Sequence, residues 1–234
     1  MDELYSLSIE DFVKHVNEKA IKIPIFGNAA YECENFPHYD KLCIEEKCPK
    51  NRLSYEVIWE KEKEKEKEKE KEKIAFILFN PSHANSKELD GTLKNCVKIC
   101  YALNKEQEEK IGGMIIYNTF TVRHPKIDSA IKLINCKYEK ANNPVFNLAE
   151  NLSNKKVSKI IIAWGNDVKK KLEKEYFNAI KTAINNEKNK DIKFFAYRIN
   201  KGTGQPTHPS PKCSKYVNEF CKNPKLENIS FEKL

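Results

Sequence analysis

The stretch that decides the fold is IAFILFNPSHANS, which runs from Ile74 to Ser86. Its first six residues are apolar without alternation, which predicts a strand buried on both faces. A turn-rich segment follows, and a helical pattern then runs from Thr92 to Leu103. A buried strand followed by a helix is the repeating unit of an α/β fold.

Three further apolar runs repeat this pattern downstream. They are MIIYN before Thr119, KIIIAWG before Asn166 and DIKFFAY before Arg198. Helical patterns lie between and after them, at 126–133, 145–152, 168–184 and beyond Pro211. The chain therefore predicts a three-layer α/β/α fold around a central four-stranded parallel sheet, in which ligands bind at the carboxyl ends of the strands.

The N-terminal part predicts an extension to this domain. Residues 1–52 hold a helix, Ile9 to Ala20, and a segment with several cysteines, whereas 53–234 form the α/β domain, beginning with the strand LSYEVIW. Between this strand and Ile74 lies an uninterrupted Glu-Lys alternation at 60–73. Because the alternation has no apolar residue to bury, it predicts a solvated loop that lengthens the connection between two neighbouring strands.

Composition limits the function classes. The 234 residues carry 42 Lys and Arg against 34 Asp and Glu, and the net charge of +8 belongs to the folded part, because the Glu-Lys run contributes seven of each sign. The longest apolar runs have five or six residues, whereas a membrane span needs about 20. The N-terminus has neither a basic start nor an apolar stretch. We therefore expect no membrane partner, and a monomer in the reducing cytoplasm.

Cysteine and histidine recur in the N-terminal segment, at Cys33, His38, Cys43 and Cys48. Four such ligands can hold zinc, but this spacing is not that of a standard zinc module and paired C-x-x-C knuckles are absent from the sequence. We favour a loop with free thiols over a zinc site. The sequence predicts no cofactor and no metal.

Polar segments follow each of the four apolar strands. They are Asn80-Pro81-Ser82-His83, then Asn118-Thr119-Phe120-Thr121-Val122-Arg123, then Trp164-Gly165-Asn166, then Thr207-His208-Pro209-Ser210-Pro211. An asparagine can orient water or read the amide edge of a base, and a histidine can stabilise a developing anion. A rigid proline-rich loop can hold backbone against phosphate or wedge into a base stack.

In this order, the four segments resemble the motifs of the uracil-DNA glycosylase superfamily. FILFNPSHANS, DGT, YNTFTVRHP, AWG and QPTHPSP are also similar to a bacterial and phage domain family of glycosylase-like fold without an assigned general function. The resemblance covers about Phe76 to Tyr216. It implies a uracil-DNA glycosylase-like fold that binds DNA and acts on a base flipped out of the helix.

The resemblance also implies roles for individual residues. Asn80 orients the water, His208 stabilises the expelled base anion, and Asn118 reads the edge of the flipped base. Asp90 is either the N-cap of the following helix or a reserve catalytic base. The implied substrate contacts are Phe79, Pro81, Ser82, His83, Asn118, Arg123, Trp164 and Gly165, and the implied DNA contacts are Lys126, Lys201, Ser210, Pro211 and Lys212.

Structural interpretations stand beside these roles. Asn80-Pro81 is also an ordinary turn after a strand, His208 is also typical of a surface loop, and Trp164 is also typical of a buried strand end.

The expected activity is that of a monofunctional DNA glycosylase. It would hydrolyse the N-glycosidic bond of a non-standard or modified pyrimidine and leave an abasic site. A hypermodified phage base, with a role in antiviral defence, is the substrate hypothesis. The alternatives are a catalytically silent protein that binds nucleic acid or a modified base on the same fold, and an enzyme acting on free nucleosides or nucleotides.

Overall fold

The fold is built from one large sheet with helices on both faces. The computed structural model describes residues 3–26, 51–59, 61–62, 69–81, 87–107, 111–122, 127–132, 134, 136–153, 155–186, 189, 192–229 and 231. The described strands are β1 (Ile21–Phe26), β2 (Arg52–Ile58), β3 (Lys61–Glu62), β4 (Lys69–Glu70), β5 (Glu72–Leu78), β6 (Ile111–Asn118), β7 (Val157–Ile162), β8 (Phe194–Ala196) and β9 (Glu227–Asn228). The described α-helices are α1 (Ile9–Lys19), α2 (Gly91–Gln107), α3 (Ile127–Lys132), α4 (Cys136–Asn142), α5 (Leu148–Ser153), α6 (Asp167–Lys171), α7 (Lys174–Ile184) and α8 (Ser214–Lys222).

The main sheet has seven strands in the order β1-β2-β6-β5-β7-β8-β9. The four predicted apolar strands form its centre and run parallel to one another. The α/β class and the four parallel central strands are thus confirmed, but the sheet has seven strands of mixed direction rather than four. At one margin β1 and β2 add in antiparallel pairing, and at the other β9 pairs antiparallel with β8. These added strands cover the margins that a four-stranded sheet would leave open.

The sheet buries side chains on both faces, as the continuous apolar runs predict. On one face, which we call the α2 face, Tyr55, Phe76 and Leu78 belong to a cluster with α2 residues such as Leu93. On the other face, the α7 face, Ile77 and Phe79 belong to a cluster with Phe177 of α7 and its neighbours. Every residue of β6 is buried. Strand side chains alternate between the faces, so this packing fixes which face each strand-end residue points to.

The Glu-Lys run is only partly as expected. Lys73 lies inside β5 with 2% of its surface exposed, and its Nζ donates to Glu56 Oε1 at 2.6 Å. Residues Lys61–Glu62 and Lys69–Glu70 pair in a short antiparallel ladder. The prediction of a solvated loop over 60–73 is therefore wrong at its C-terminal end, where the acidic partner on β2 lets the lysine enter the sheet. The two strands that the run connects are also not neighbours, because β6 lies between β2 and β5.

The N-terminal extension packs against the same sheet. Ser8 caps α1 by accepting a hydrogen bond from the amide of Asp11 at 3.1 Å, and Phe12 joins the α2-face core. Strand β1 pairs with β2 along its length. The domain boundary between residues 52 and 53 stays a prediction. Cys33, His38, Cys43 and Cys48 lie outside the described residues.

None of the described helices combines the length and the apolarity needed to cross a membrane. No group of three or more His, Cys, Asp or Glu side chains suited to a metal ion occurs among the described residues.

Candidate functional site

Three of the polar segments meet at the carboxyl edge of the central strands. Asn118 is the register partner of Leu78, and the Thr119 amide donates to the Leu78 carbonyl at 2.9 Å. On the other side of β5, the Ala163 amide donates to the Ile77 carbonyl at 2.9 Å. Because adjacent strands lie about 4.8 Å apart, Asn118, Asn80 and Gly165 come to one edge within about 10 Å across the sheet.

The fourth segment, which carries His208, packs against the end of β7. The Gly165 amide donates to the Pro206 carbonyl at 3.0 Å. Gly165 has a φ of +86°, and a Cβ atom there would lie 2.8 Å from the Cβ of His208. Only glycine suits both the positive φ and this close approach. The contact places His208 directly against the end of β7.

The first turn of α2 holds the H-P-S-P loop from the other side. The Asn95 amide nitrogen donates to the Pro209 carbonyl at 2.9 Å and is 3.1 Å from Ser214 Oγ. Pro211 packs so closely on Gly91 that a Cβ on the glycine would lie 2.5 Å from the proline Cγ. The loop and the start of α2 therefore form one packed unit beside His208.

Asp90 caps α2, as one of its two interpretations predicts. Its Oδ1 accepts a hydrogen bond from the Leu93 amide at 2.9 Å, which satisfies one of the open donors at the helix start. Asp90 directly precedes Gly91, which packs against Pro211, and its charge opposes the fall in the pKa of His208. The catalytic role of Asp90 stays a prediction.

His208 is neutral at physiological pH. Burial lowers the pKa of His208 to about 4, and the carboxylates of Asp90 and Asp167 act in the opposite direction. A neutral imidazole carries one N–H donor and one acceptor nitrogen. The ring can therefore donate a hydrogen bond to an anion that forms next to it.

We expect an NMR pH titration of the folded protein to give a midpoint near pH 4 for the His208 ring protons. The His208 imidazole binds a proton near pH 6.5 in the unfolded chain but only near pH 4 in the native state. His208 should therefore make the protein less stable as the pH falls from about 6.5 to about 4. His208→Gln should lack this part of the pH dependence of unfolding. A His208 midpoint above pH 6 would contradict the assignment.

Asn118 has a buried side-chain amide at the carboxyl end of β6. The residue is 2% exposed, and neither Oδ1 nor Nδ2 has a hydrogen-bond partner among the residues that the structure describes. Such groups are uncommon, because an unsatisfied buried donor or acceptor costs about 1–3 kcal/mol. Asn118 shares the α2 face with its register partner Leu78. It thus presents one donor and one acceptor at the edge where His208 and Asn80 also lie.

Further buried polar atoms along the same edge also have no hydrogen-bond partner among the described residues. They are the side-chain amide of Asn51, directly before β2, the hydroxyl of Tyr197, directly after β8, and the hydroxyl of Thr207, directly before His208. Asn189 Oδ1, in the segment before β8, is a further such atom and lies away from this edge. Native proteins satisfy most buried polar groups, so the several atoms at the carboxyl edge indicate a place where partners are supplied by a bound molecule or by water.

Several predicted contacts form the scaffold of this edge. Trp164 is fully buried, and its indole N–H donates to Gln205 Oε1 at 3.1 Å, so its side chain offers no surface to a ligand. Phe79 is 6% exposed and packs edge-on against Phe120, with ring centroids 5.5 Å apart. Asn80 is partly exposed, and its amide nitrogen is 3.2 Å from the Pro81 carbonyl.

Only some of the remaining implied substrate and DNA contacts lie within the described residues. Lys201 and Lys212 are exposed on the loops that flank His208, and Pro211 is exposed beside Ser210, which is partly buried. Ser82, His83, Arg123 and Lys126 lie outside the described residues. Arg198 stacks over the Tyr216 ring at 3.8 Å and forms an ion pair with Glu219 at 3.2 Å.

Sequence reasoning missed the residues that hold the Asn118 loop in place. They are Glu139, Asn143 and Tyr176, which all bond to this loop. Glu139 stands in a charged stretch, CKYEK, that is typical of an exposed helix. Of these three residues, only Asn143 could be recognised in the sequence, because it precedes Pro144 and asparagine before proline favours the start of a new element.

A family model described as a protein of unknown function (DUF1643) matches residues 58–210, which is more than half of the chain. No curated protein and no solved structure matches the chain.

Proposed function

Because this chain belongs to the DUF1643 family, whose function is unknown, we propose from its own geometry that it is a DNA glycosylase. The proposed reaction is hydrolysis of the bond between C1′ of the sugar and the nitrogen of a non-standard or modified pyrimidine. The products are the free base and an abasic site.

The observation that carries the proposal is the unsatisfied amide of Asn118. A flipped pyrimidine presents a donor and an acceptor side by side on its edge, and an asparagine amide is the matching partner. Its location on the sheet edge that also carries His208 and Asn80 supports a base-binding pocket rather than a packing defect.

The proposed mechanism uses the neutral state of His208. As the glycosidic bond breaks, its electron pair leaves with the base, which becomes an anion, and the sugar becomes oxocarbenium-like. The imidazole N–H donates a hydrogen bond to the anion in a largely buried setting, where such a bond is strong. Asn80 orients a water whose oxygen bonds to C1′, and the proton of that water passes to the departing base. Asn80 cannot itself take up the proton, because an amide is not a base at this pH.

Charge supports DNA as the partner. The net charge is +8, and Lys201 and Lys212 are exposed on the loops that flank His208. Basic side chains at the mouth of a pocket neutralise the phosphates that flank a flipped nucleotide. The resemblance to bacterial and phage domains supports a hypermodified phage pyrimidine as the substrate and antiviral defence as the role.

The test is an assay for abasic sites, by alkaline cleavage, on single- and double-stranded DNA that carries uracil, hydroxymethylated or glucosylated pyrimidines. We expect cleavage of at least one modified DNA, with losses of about 100- to 1,000-fold for His208→Ala and Asn80→Ala. Lys225→Ala, at an exposed position outside the candidate site, is the control and should cleave like wild type. If His208→Ala cleaves at the wild-type rate, the proposed mechanism fails.

A catalytically silent reader is the second candidate, favoured by the amide at position 80. It predicts binding to modified DNA that survives Asn80→Ala and no release of base from any substrate. An enzyme of free nucleosides would instead show little affinity for a long strand and little dependence of binding on salt.

A further inference from the structure

A fully buried carboxylate lies behind the strand-end loop that carries Asn118. Glu139, in α4, is 0% exposed. Its Oε1 accepts hydrogen bonds from the amide of Thr121 at 2.9 Å and from the Thr121 hydroxyl at 2.7 Å. Its Oε2 accepts from the side-chain amide of Asn143 at 2.9 Å. The carboxylate therefore binds the loop three residues beyond Asn118.

Two of its neighbours bind the main chain of the loop itself. Asn143 Nδ2 lies 3.2 Å from the carbonyl oxygens of both Asn118 and Thr119. The Tyr176 hydroxyl donates to the Thr119 carbonyl at 2.8 Å and lies 3.4 Å from Glu139 Oε2. These contacts reach the carbonyl of Asn118, whereas its side-chain amide is left without a partner among the described residues.

From this geometry we propose that Glu139 is a positioning residue, which sets the direction of the Asn118 amide through Thr121, Asn143 and Tyr176. The inference rests on the proposed function, because it assigns Glu139 to the selectivity of the same pocket. Glu139 does not touch the base. It fixes the loop from which Asn118 reads the base.

Stability alone does not account for a carboxylate at this position. Burial raises the pKa of Glu139, and the hydrogen bonds from Thr121, Asn143 and Tyr176 oppose that shift. These partners are neutral donors, and a well-packed apolar side chain is often as stable as, or more stable than, a buried charged group. What the carboxylate adds is several acceptor positions at a fixed point, which hold neighbouring donors in one arrangement.

The test is a double-mutant cycle of Glu139→Gln and Asn118→Ala in which the measured quantity is selectivity. Selectivity is the ratio of base-release rates for the preferred base and for an analogue that lacks one hydrogen-bonding group on its edge. Glutamine keeps the shape of the Glu139 side chain but replaces one carboxylate oxygen, an acceptor, with an amide nitrogen, a donor. That nitrogen then faces a group that donates to the carboxylate in the wild-type protein. We expect Glu139→Gln to lower the selectivity at least tenfold, and to have almost no further effect in Asn118→Ala.

The matched control is Glu56→Gln, the same change in another buried carboxylate, which binds Lys73 at 2.6 Å. We expect it to lower the thermal midpoint and leave selectivity at the wild-type value. If Glu139→Gln behaves like Glu56→Gln, or lowers selectivity equally with and without Asn118, the inference is overturned.

Failure of the proposed function is separable from failure of this inference. If the wild-type protein releases no base, the glycosylase proposal fails, and the side-chain amide signals of Asn118 in a ¹⁵N-correlated NMR spectrum decide the positioning role. Glu139→Gln should shift these signals more than Glu56→Gln does. Unchanged Asn118 signals in Glu139→Gln would overturn the positioning role.

Discussion

Asn118→Ala is expected to lower base release by about 100- to 1,000-fold while leaving the thermal midpoint close to the wild-type value. The two effects separate because the amide of Asn118 forms no hydrogen bond within the described part of the protein. Removing an unsatisfied polar group relieves a desolvation cost, which offsets the small cavity that the change leaves. Release kinetics and thermal unfolding of the same preparation check both halves of this prediction.

Asn189→Ala is the matched control for Asn118→Ala. The Asn189 amide is buried at the end of α7, where it donates to the carbonyls of Ala183 and Ile184 at 3.0 Å each. We expect Asn189→Ala to lower the free energy of unfolding by about 1 kcal/mol and to leave base release unchanged. If Asn118→Ala instead destabilises the protein and keeps its activity, Asn118 is a structural residue.

Gly165→Ala is expected to damage both the fold and the activity. Gly165 has a φ of +86°, which costs an L-residue roughly 1–2 kcal/mol. The added Cβ would lie 2.8 Å from the His208 Cβ, so the histidine must move away from the end of β7. We expect a loss of about 2 kcal/mol or more in unfolding free energy and, in protein that remains folded, at least a tenfold loss of base release.

Gly202→Ala, in the connection between β8 and α8 that carries His208, is the control for Gly165→Ala. The nearest atom to a Cβ at Gly202 is Asn200 Oδ1 at 3.5 Å, an ordinary contact. Unfolding in urea and release kinetics should therefore show Gly202→Ala close to wild type. Equal behaviour of the two variants would contradict the close contact between Gly165 and His208.

The sequence predicted the central elements because their signals are local. The apolar run at Ile74 is β5, and the amphipathic run that ends at Leu103 lies within α2. Asp90 before an apolar-periodic segment predicted an N-cap, and the bond to Leu93 confirms it. A continuous apolar strand and a capped helix start are both set by residues adjacent in the chain, which is why they can be predicted from it.

The remaining features depend on contacts between distant residues. Lys73 is buried because it pairs with Glu56 on another strand. A lysine considered without that partner is typical of an exposed position, so the sequence did not indicate its burial. Glu139 was missed for the same reason, since its donors come from Thr121, Asn143 and Tyr176. Strands β1 and β9 pair at the margins of the sheet, and β9 has only two residues. Isoleucine alternates along β1, IKIPIF, but the proline within it argues against a central strand.

We propose that this protein cuts the bond between a base and its sugar. Mass spectrometry of the small molecules released from DNA that carries modified pyrimidines measures this most directly. We expect a free modified base in the same molar amount as new abasic sites, with both strongly reduced in His208→Ala. Tight binding to such DNA, with no free base released from any modified substrate, would contradict the proposal and favour the reader.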